Sequence, residues 1–165
     1  MPQPDATSGT LVVRALTRED AEEIRSWRYP GRWRTYDSRP EDGPVSAAAG
    51  FHAIADSTGA LVGYLCLGAE ARVPGLAAQD GVTDVGVGLR PDLMGQGVGS
   101  HFGAAVLAHV RDMSAGGSLR AVVQDWNARS LRLCERLGFR RTGVHTCVQE
   151  GQPVTYVVLE AGEPG

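Results

Sequence analysis

VGVGLRPDLMGQGVGSHF, residues Val85–Phe102, sets an alternating apolar run against a proline, three spaced glycines and a helical start. Val82–Leu89 (VTDVGVGL) alternates as a strand, and Pro91 stops it because proline cannot donate to a ladder. Gly95, Gly97 and Gly99 follow, and then Phe102, Val106, His109 or Val110, and Met113 share one face of a helix. Glycine reaches backbone conformations closed to other residues, and a helix start carries unpaired N–H donors with partial positive charge. A strand, a glycine turn and a helix N-terminus in that order form an anion site, commonly one for phosphate.

Elements on both sides of this stretch predict one α+β domain. Leu11–Ala15 reads as a short strand, and Thr17-Arg18-Glu19-Asp20 supplies an N-cap with an acidic first turn. Ala21, Ile24 and Trp27 or Arg28 continue at helical spacing until Pro30-Gly31. Phe51–Ala55 and Ala60–Leu67 flank Asp56-Ser57-Thr58-Gly59, a hairpin signal. Ala69–Gly81 reads as a loop. Leu119–Val123 is a strand, and Asn127–Leu137 is a helix with Leu131, Leu133 or Cys134, and Leu137 facing inward. Gly138 suits its C′ position. Arg140–Val148 and Val154–Leu159 form a last hairpin around Glu150-Gly151. With neither repeat nor linker, the expected division is a tail at 1–10, one domain at 11–160 and a tail at 161–165.

Composition narrows the function classes. The chain has 165 residues, 42% hydrophobic and 21% charged, enough for a real core. A net charge of −3 argues against general nucleic-acid binding. No stretch approaches the roughly 18 apolar residues of a membrane span, and no secretory signal opens the chain. The three cysteines, Cys66, Cys134 and Cys147, are unpatterned for metal, so free thiols in a reducing cytoplasm are expected. The four histidines, His52, His101, His109 and His145, lack metal spacing and read as surface or packing residues. Every basic residue is arginine, and several gather with aromatics in RSWRYPGRWRTYDSR (Arg25–Arg39). That cluster suits either an acidic or aromatic partner or a solvated helix face and loop.

The glycines fail two phosphate fingerprints. Gly95, Gly97 and Gly99 give G-x-G-x-G, one residue short of the dinucleotide G-x-G-x-x-G, and a Walker A loop needs a lysine that is absent. A second run, NARSLRLCERLGF (Asn127–Phe139), completes a different pattern. Together VGVGLRPDLMGQGVGSHF and NARSLRLCERLGF resemble the GNAT superfamily of N-acetyltransferases, bacterial type. There an apolar strand leads into [QR]-x-x-G-x-[GA], and a second strand ends in N-x-x-[AS]-x-x-x-[YC]-x-x-x-G-F. The likeness extends from Leu11 to Leu159, and the fold it implies is a mixed, mostly antiparallel sheet of about seven strands flanked by helices.

The resemblance implies acetyl-CoA as cosubstrate, with no metal. It assigns the pyrophosphate to Gly95, Gln96, Gly97, Val98, Gly99 and Ser100, whose amides crowd a helix start. It assigns the pantetheine arm to the backbone of Val87, Gly88 and Leu89, and Gly86 and Gly88 would leave one strand face bare for it. The alternative for these two glycines is a bulky neighbour. Asn127, the only asparagine, falls where the family contacts pantetheine or the acetyl end, and it also suits an N-cap. Met94 stands where the family has Gln or Arg. Cys134 stands at the place usually held by a tyrosine that protonates the leaving thiolate; it is either a poorer acid or an inert packing residue.

An alkyl amine of pKa near 10.4 is only about 0.1% neutral at pH 7.4, so about 4 kcal/mol must come from a base, desolvation or a more acidic amine. Asp84 is the first choice of base and Glu70 the second. The amide of Val87 or Gly88 could hold the oxyanion, and Trp33 and Tyr36 are candidates for the amine pocket. The implied reaction moves an acetyl group directly to a primary amine of a small molecule or protein N-terminus, in a ternary complex. The competing reading is a silent acyl-CoA-binding sensor or scaffold. A cytoplasmic enzyme with neither nucleic acid nor membrane as partner is expected, and a homodimer is left open.

Overall fold

A computed structural model of the chain describes residues 10–39, 42–114 and 116–162. The strands are β1 (Val12–Ala15), β2 (Phe51–Ala55), β3 (Leu61–Leu67), β4 (Val82–Leu89), β5 (Ser118–Gln124), β6 (Arg140–Gln149) and β7 (Gln152–Ala161). The α-helices are α1 (Arg18–Ser26), α2 (Gly99–Met113) and α3 (Ala128–Arg136). The strands form one mixed sheet of seven in the order β1-β2-β3-β4-β5-β7-β6. The β4–β5 pair is parallel, whereas β1–β2, β2–β3, β5–β7 and β6–β7 are antiparallel. The expected tails fall almost wholly outside the described residues, and β7 runs one residue past the expected domain end, to Ala161.

Contacts gather into two compact units, each built from separate pieces of chain. Residues 1–66 and 87–105 make the first, and residues 67–86 and 106–165 the second.

In the first unit, β1 delivers the chain to α1 through a capping box. Thr17 accepts from the Asp20 amide at 3.1 Å, and Asp20 accepts from the Thr17 amide at 2.8 Å. Asp20 also takes Arg14 of β1 in a half-buried ion pair. Ala21, Ile24 and Trp27 are buried, so the inward third position is Trp27 and not Arg28. Trp27 stacks on Tyr64 with ring centroids 6.3 Å apart. The β2–β3 turn is closed by Asp56, whose Oδ1 accepts from the Thr58 and Ala60 amides, while Gly59 takes a φ of +88°. Its core is Ala53, Ile54, Val62 and Leu65, none with any exposed surface.

In the second unit, Leu119 and Leu159 are fully buried at the β5–β7 ladder, and Val106 and Val110 of α2 are buried with them. Met113, expected on that same face, is 49% exposed at the helix's last turn. Asn127 caps α3 by accepting from the Ser130 amide at 3.2 Å, and Gly138 beyond it has a φ of +98°. The β6–β7 turn is Glu150-Gly151, with φ of +51° and +74°. Two positive values in a two-residue loop match the right-handed twist of the strands they join.

Candidate active site

The first unit holds the end of β4 and the glycine loop. After Leu89, Arg90 caps a 3₁₀ turn at Pro91–Leu93, and the chain reaches Gly95 and Gly97 with φ of +73° and +78°. These are left-handed values that side chains avoid, so the turn into α2 needs both glycines. A Cβ built at Gly97 would meet nothing within 4 Å, which leaves the loop's outer side open to a bound group. Leu93, Val98 and Phe102 are buried and anchor the loop from below. Val87, Gly88 and Leu89 therefore share one unit with Gly95, Gln96, Gly97, Val98, Gly99 and Ser100.

The bare strand face expected beside β4 is not bare at Gly88. A Cβ there would overlap the ring of Tyr64. Gly63 is equally enforced, since its Cβ would fall 2.5 Å from the Gly88 carbonyl and from the Phe102 ring. The two glycines thus let rings lie on the backbone, and Tyr64, on β3, is the bulky neighbour of the alternative reading. Burial pushes the Tyr64 hydroxyl well above a phenol's usual range. Tyr29 reaches the same strand end: its hydroxyl donates to the Leu89 carbonyl at 2.7 Å. Burial, then the charge of Asp37, raise its proton affinity too, so it stays a donor.

The second unit holds Glu70, Asp84, Asn127 and Cys134. Asp84 is 3% exposed and faces Arg120 across the parallel pair. Its Oδ1 accepts from Arg120 Nε at 2.6 Å, and its Oδ2 accepts from Arg72 at 3.0 Å and from Arg120 at 3.2 Å. Arg120 also donates to the Ala77 carbonyl at 2.8 Å, which ties down the loop ahead of β4. Both carboxylate oxygens of Asp84, the expected base, are engaged and buried. With Arg72 and Arg120 it forms a three-charge cluster. Glu70 is exposed in a 3₁₀ turn at Gly68–Ala71.

Cys134 is half-buried on α3, and burial, followed by the charge of Glu135, pushes its thiol up to about 11. It stays protonated across the neutral range and is a weak acid. Trp33 and Tyr36 both lie in a 3₁₀ helix at Gly31–Tyr36, where Tyr36 meets Tyr29 edge-on and is 38% exposed. His145 bonds the Pro74 carbonyl at 2.8 Å.

Arg72, Arg120, Tyr29 and Tyr64 escaped the sequence reading. One signal was available for Arg120: a charge inside the apolar strand Leu119–Val123 demands a partner.

The sequence pattern of the Acetyltransferase (GNAT) family matches residues 18–139. A mycothiol acetyltransferase of Salinispora tropica is 34% identical over 122 residues, covering 73% of this chain and 39% of that protein. Its counterpart in Parafrankia sp. is 32% identical over 135 residues, 74% of this chain and 41% of that protein. The chain thus spans about two fifths of the length of the curated relatives it matches. Among solved structures, a GNAT-family acetyltransferase from Bacillus anthracis aligns with a TM-score of 0.69 at 17% identity, over 93% of this chain and 96% of that one. A phosphinothricin acetyltransferase from Sinorhizobium meliloti, solved with acetyl-CoA, aligns with a TM-score of 0.63 at 18% identity, over 93% and 89%. The chain belongs to the GNAT acetyltransferase family, and the expected fold class is the observed one.

Proposed function

We propose that this protein binds acetyl-CoA and passes its acetyl group directly to a primary amine. The observation that carries the reading is the pair of left-handed glycines, Gly95 and Gly97, placed immediately before the first turn of α2. Amides of Gly95, Gln96, Gly97, Val98, Gly99 and Ser100 would hold the pyrophosphate, as donors at a helix start do. Val87, Gly88 and Leu89 offer backbone to the pantetheine arm, and Asn127 a side chain at the head of α3. The loop's fit to the group rests on the open space outside Gly97. Bound acetyl-CoA supplies an activated thioester.

The chain's own residues then divide the work. An amide of Val87 or Gly88 steadies the oxygen that gains charge. Cys134 can donate a proton to the departing thiolate, but a thiol raised to about 11 gives little driving force. Asp84 is a positioning residue. Proton removal from the amine falls to exposed Glu70 or to solvent, which favours acceptors with a low amine pKa; an α-amine near 8 needs little help.

Gly97→Glu tests the reading by setting a negative charge where the pyrophosphate would lie. Calorimetric titration with acetyl-CoA should give saturable binding to the parent and none to the variant. Undiminished binding by the variant overturns the site. Binding without any release of free CoA across an amine panel would make the chain an acyl-CoA-binding domain instead.

A further inference from the structure

β6 is the outer strand of the sheet, and among the described residues it pairs on one side only, with β7. Val144 and Val148 on this strand are 68% and 67% exposed, the largest exposures of any large apolar side chain described. We propose that β6 is the interface through which two copies of this chain join, antiparallel and edge to edge. The inference is independent of the acetyl-transfer reading.

Backbone direction decides which residues can meet. Glu150-Gly151 is a two-residue turn with both φ values positive, and in such a turn the flanking pair, here Gln149 and Gln152, is a hydrogen-bonded one. Pairs alternate from there, so Cys147 and His145 turn their backbone groups towards β7. Val148, Thr146 and Val144 turn theirs to the sheet edge. Pro153 agrees: it lies opposite Val148, where no N–H is needed for the ladder.

An antiparallel second copy can meet these groups in a register that also covers the valines. With Thr146 on the two-fold axis, Val144 lies opposite Val148 of the second copy, and Val148 opposite its Val144. Outward backbone groups then face outward backbone groups, and the exposed valines cover one another in two cross-strand pairs. Moving the axis to His145 or Cys147 sets each valine against a threonine or Glu150 instead. Charge agrees with the direction. Exposed Arg140 and Arg141 begin the strand and exposed Glu150 follows it, so an antiparallel run sets the basic start of each copy beside the acidic turn of the other. A parallel run would set arginine on arginine.

Edge strands are commonly guarded by charges, prolines or bulges. Here the two arginines and the register shift between Arg141 and Gly143 guard only the start of β6. Residues 142–149 hold no proline and, with His145 neutral, no formal charge. Because one patch serves both copies, the assembly closes at two and does not grow.

Sedimentation equilibrium of the full chain, run from about 1 to 100 μM, tests this. At the upper end the mass should be twice the 17.5 kDa of one copy. Val144→Lys with Val148→Lys sets like charges opposite each other in both pairs and should weaken association by about tenfold or more. Val144→Lys with Val148→Glu sets opposite charges there and should bring association back. Both side chains are exposed in a single copy, so each variant should keep the parent's circular dichroism in dilute solution. A parent that stays monomeric throughout overturns the proposal and leaves β6 to a partner of another kind. Open-ended oligomers, a dimer that the like-charged variant leaves intact, or an oppositely charged variant no tighter than the like-charged one would overturn it too.

Discussion

Arg120 and Asp84 are register partners of the parallel β4–β5 pair, and their side chains close a two-point ion pair, Nε to Oδ1 at 2.6 Å and a terminal nitrogen to Oδ2 at 3.2 Å. Arg120 is 6% exposed, so loss of its partner strands a buried charge. Asp84→Asn should therefore lower unfolding free energy by about 3 kcal/mol or more, read as an earlier urea midpoint. The pH dependence of turnover in the remaining folded enzyme should keep its shape. A lost acidic limb in that profile would make Asp84 the base.

Cys134 gives an alkaline signature. Burial, then the charge of Glu135, push its thiol from the usual 9.0 up to about 11 in the folded chain, so above pH 9 the unfolded chain sheds a proton that the native one keeps. Stability should thus fall as pH rises from about 9 towards 11, and Cys134→Ala should flatten that fall in thermal melts. The same substitution should cost less than about tenfold in acetylation rate, below the usual worth of a well-matched general acid. Near-complete loss of activity with folding intact would show the thiol to be essential.

On the acidic side the sensitive group is Asp20. Its hydrogen bond from Arg14, and then those of the capping box, hold its carboxyl below the usual value of 3.8 against the opposing effect of burial. The stabilisation is complete above that value and is lost as pH falls through the lower, folded one. Asp20→Asn should remove this dependence and shift the acid midpoint. Thr17→Ala, which deletes only the cap, should cost about 1 kcal/mol at neutral pH.

Gly88→Ala should destabilise by about 1–3 kcal/mol, since its new methyl overlaps the Tyr64 ring. Removing that ring should relieve the clash, so Gly88→Ala and Tyr64→Ala should combine to less than their sum in chemical denaturation. Strict additivity would place the ring elsewhere.

Element boundaries were legible because local chemistry determines them. Phe51–Ala55 and Val82–Leu89 are β2 and β4 residue for residue. Thr17, Asn127, Gly138 and Glu150-Gly151 mark their caps and turn as their side chains or φ values require. Side-chain partners across distance were not legible. Nothing near Asp84 in sequence announces Arg120, 36 positions on, and the ring above Gly88 comes from another strand. The 3₁₀ helix at Gly31–Tyr36 was also missed, because single turns lack the repeats from which periodicity is read.

The Glu150-Gly151 turn also bears on the order in which the second unit forms. It joins two ten-residue strands whose partners begin with Gln149 opposite Gln152, so the β6–β7 ladder can zip from neighbours without closing a long loop. Hairpins of this kind assemble in about 1–10 μs. The parallel β4–β5 pair, Val82 opposite Ser118, must wait until the intervening chain is folded back. That difference in loop closure predicts that β5 docks on a hairpin already formed, through Leu119 to Gln124. In stopped-flow folding, Gly151→Ala should slow refolding, while Asp84→Asn should chiefly hasten unfolding.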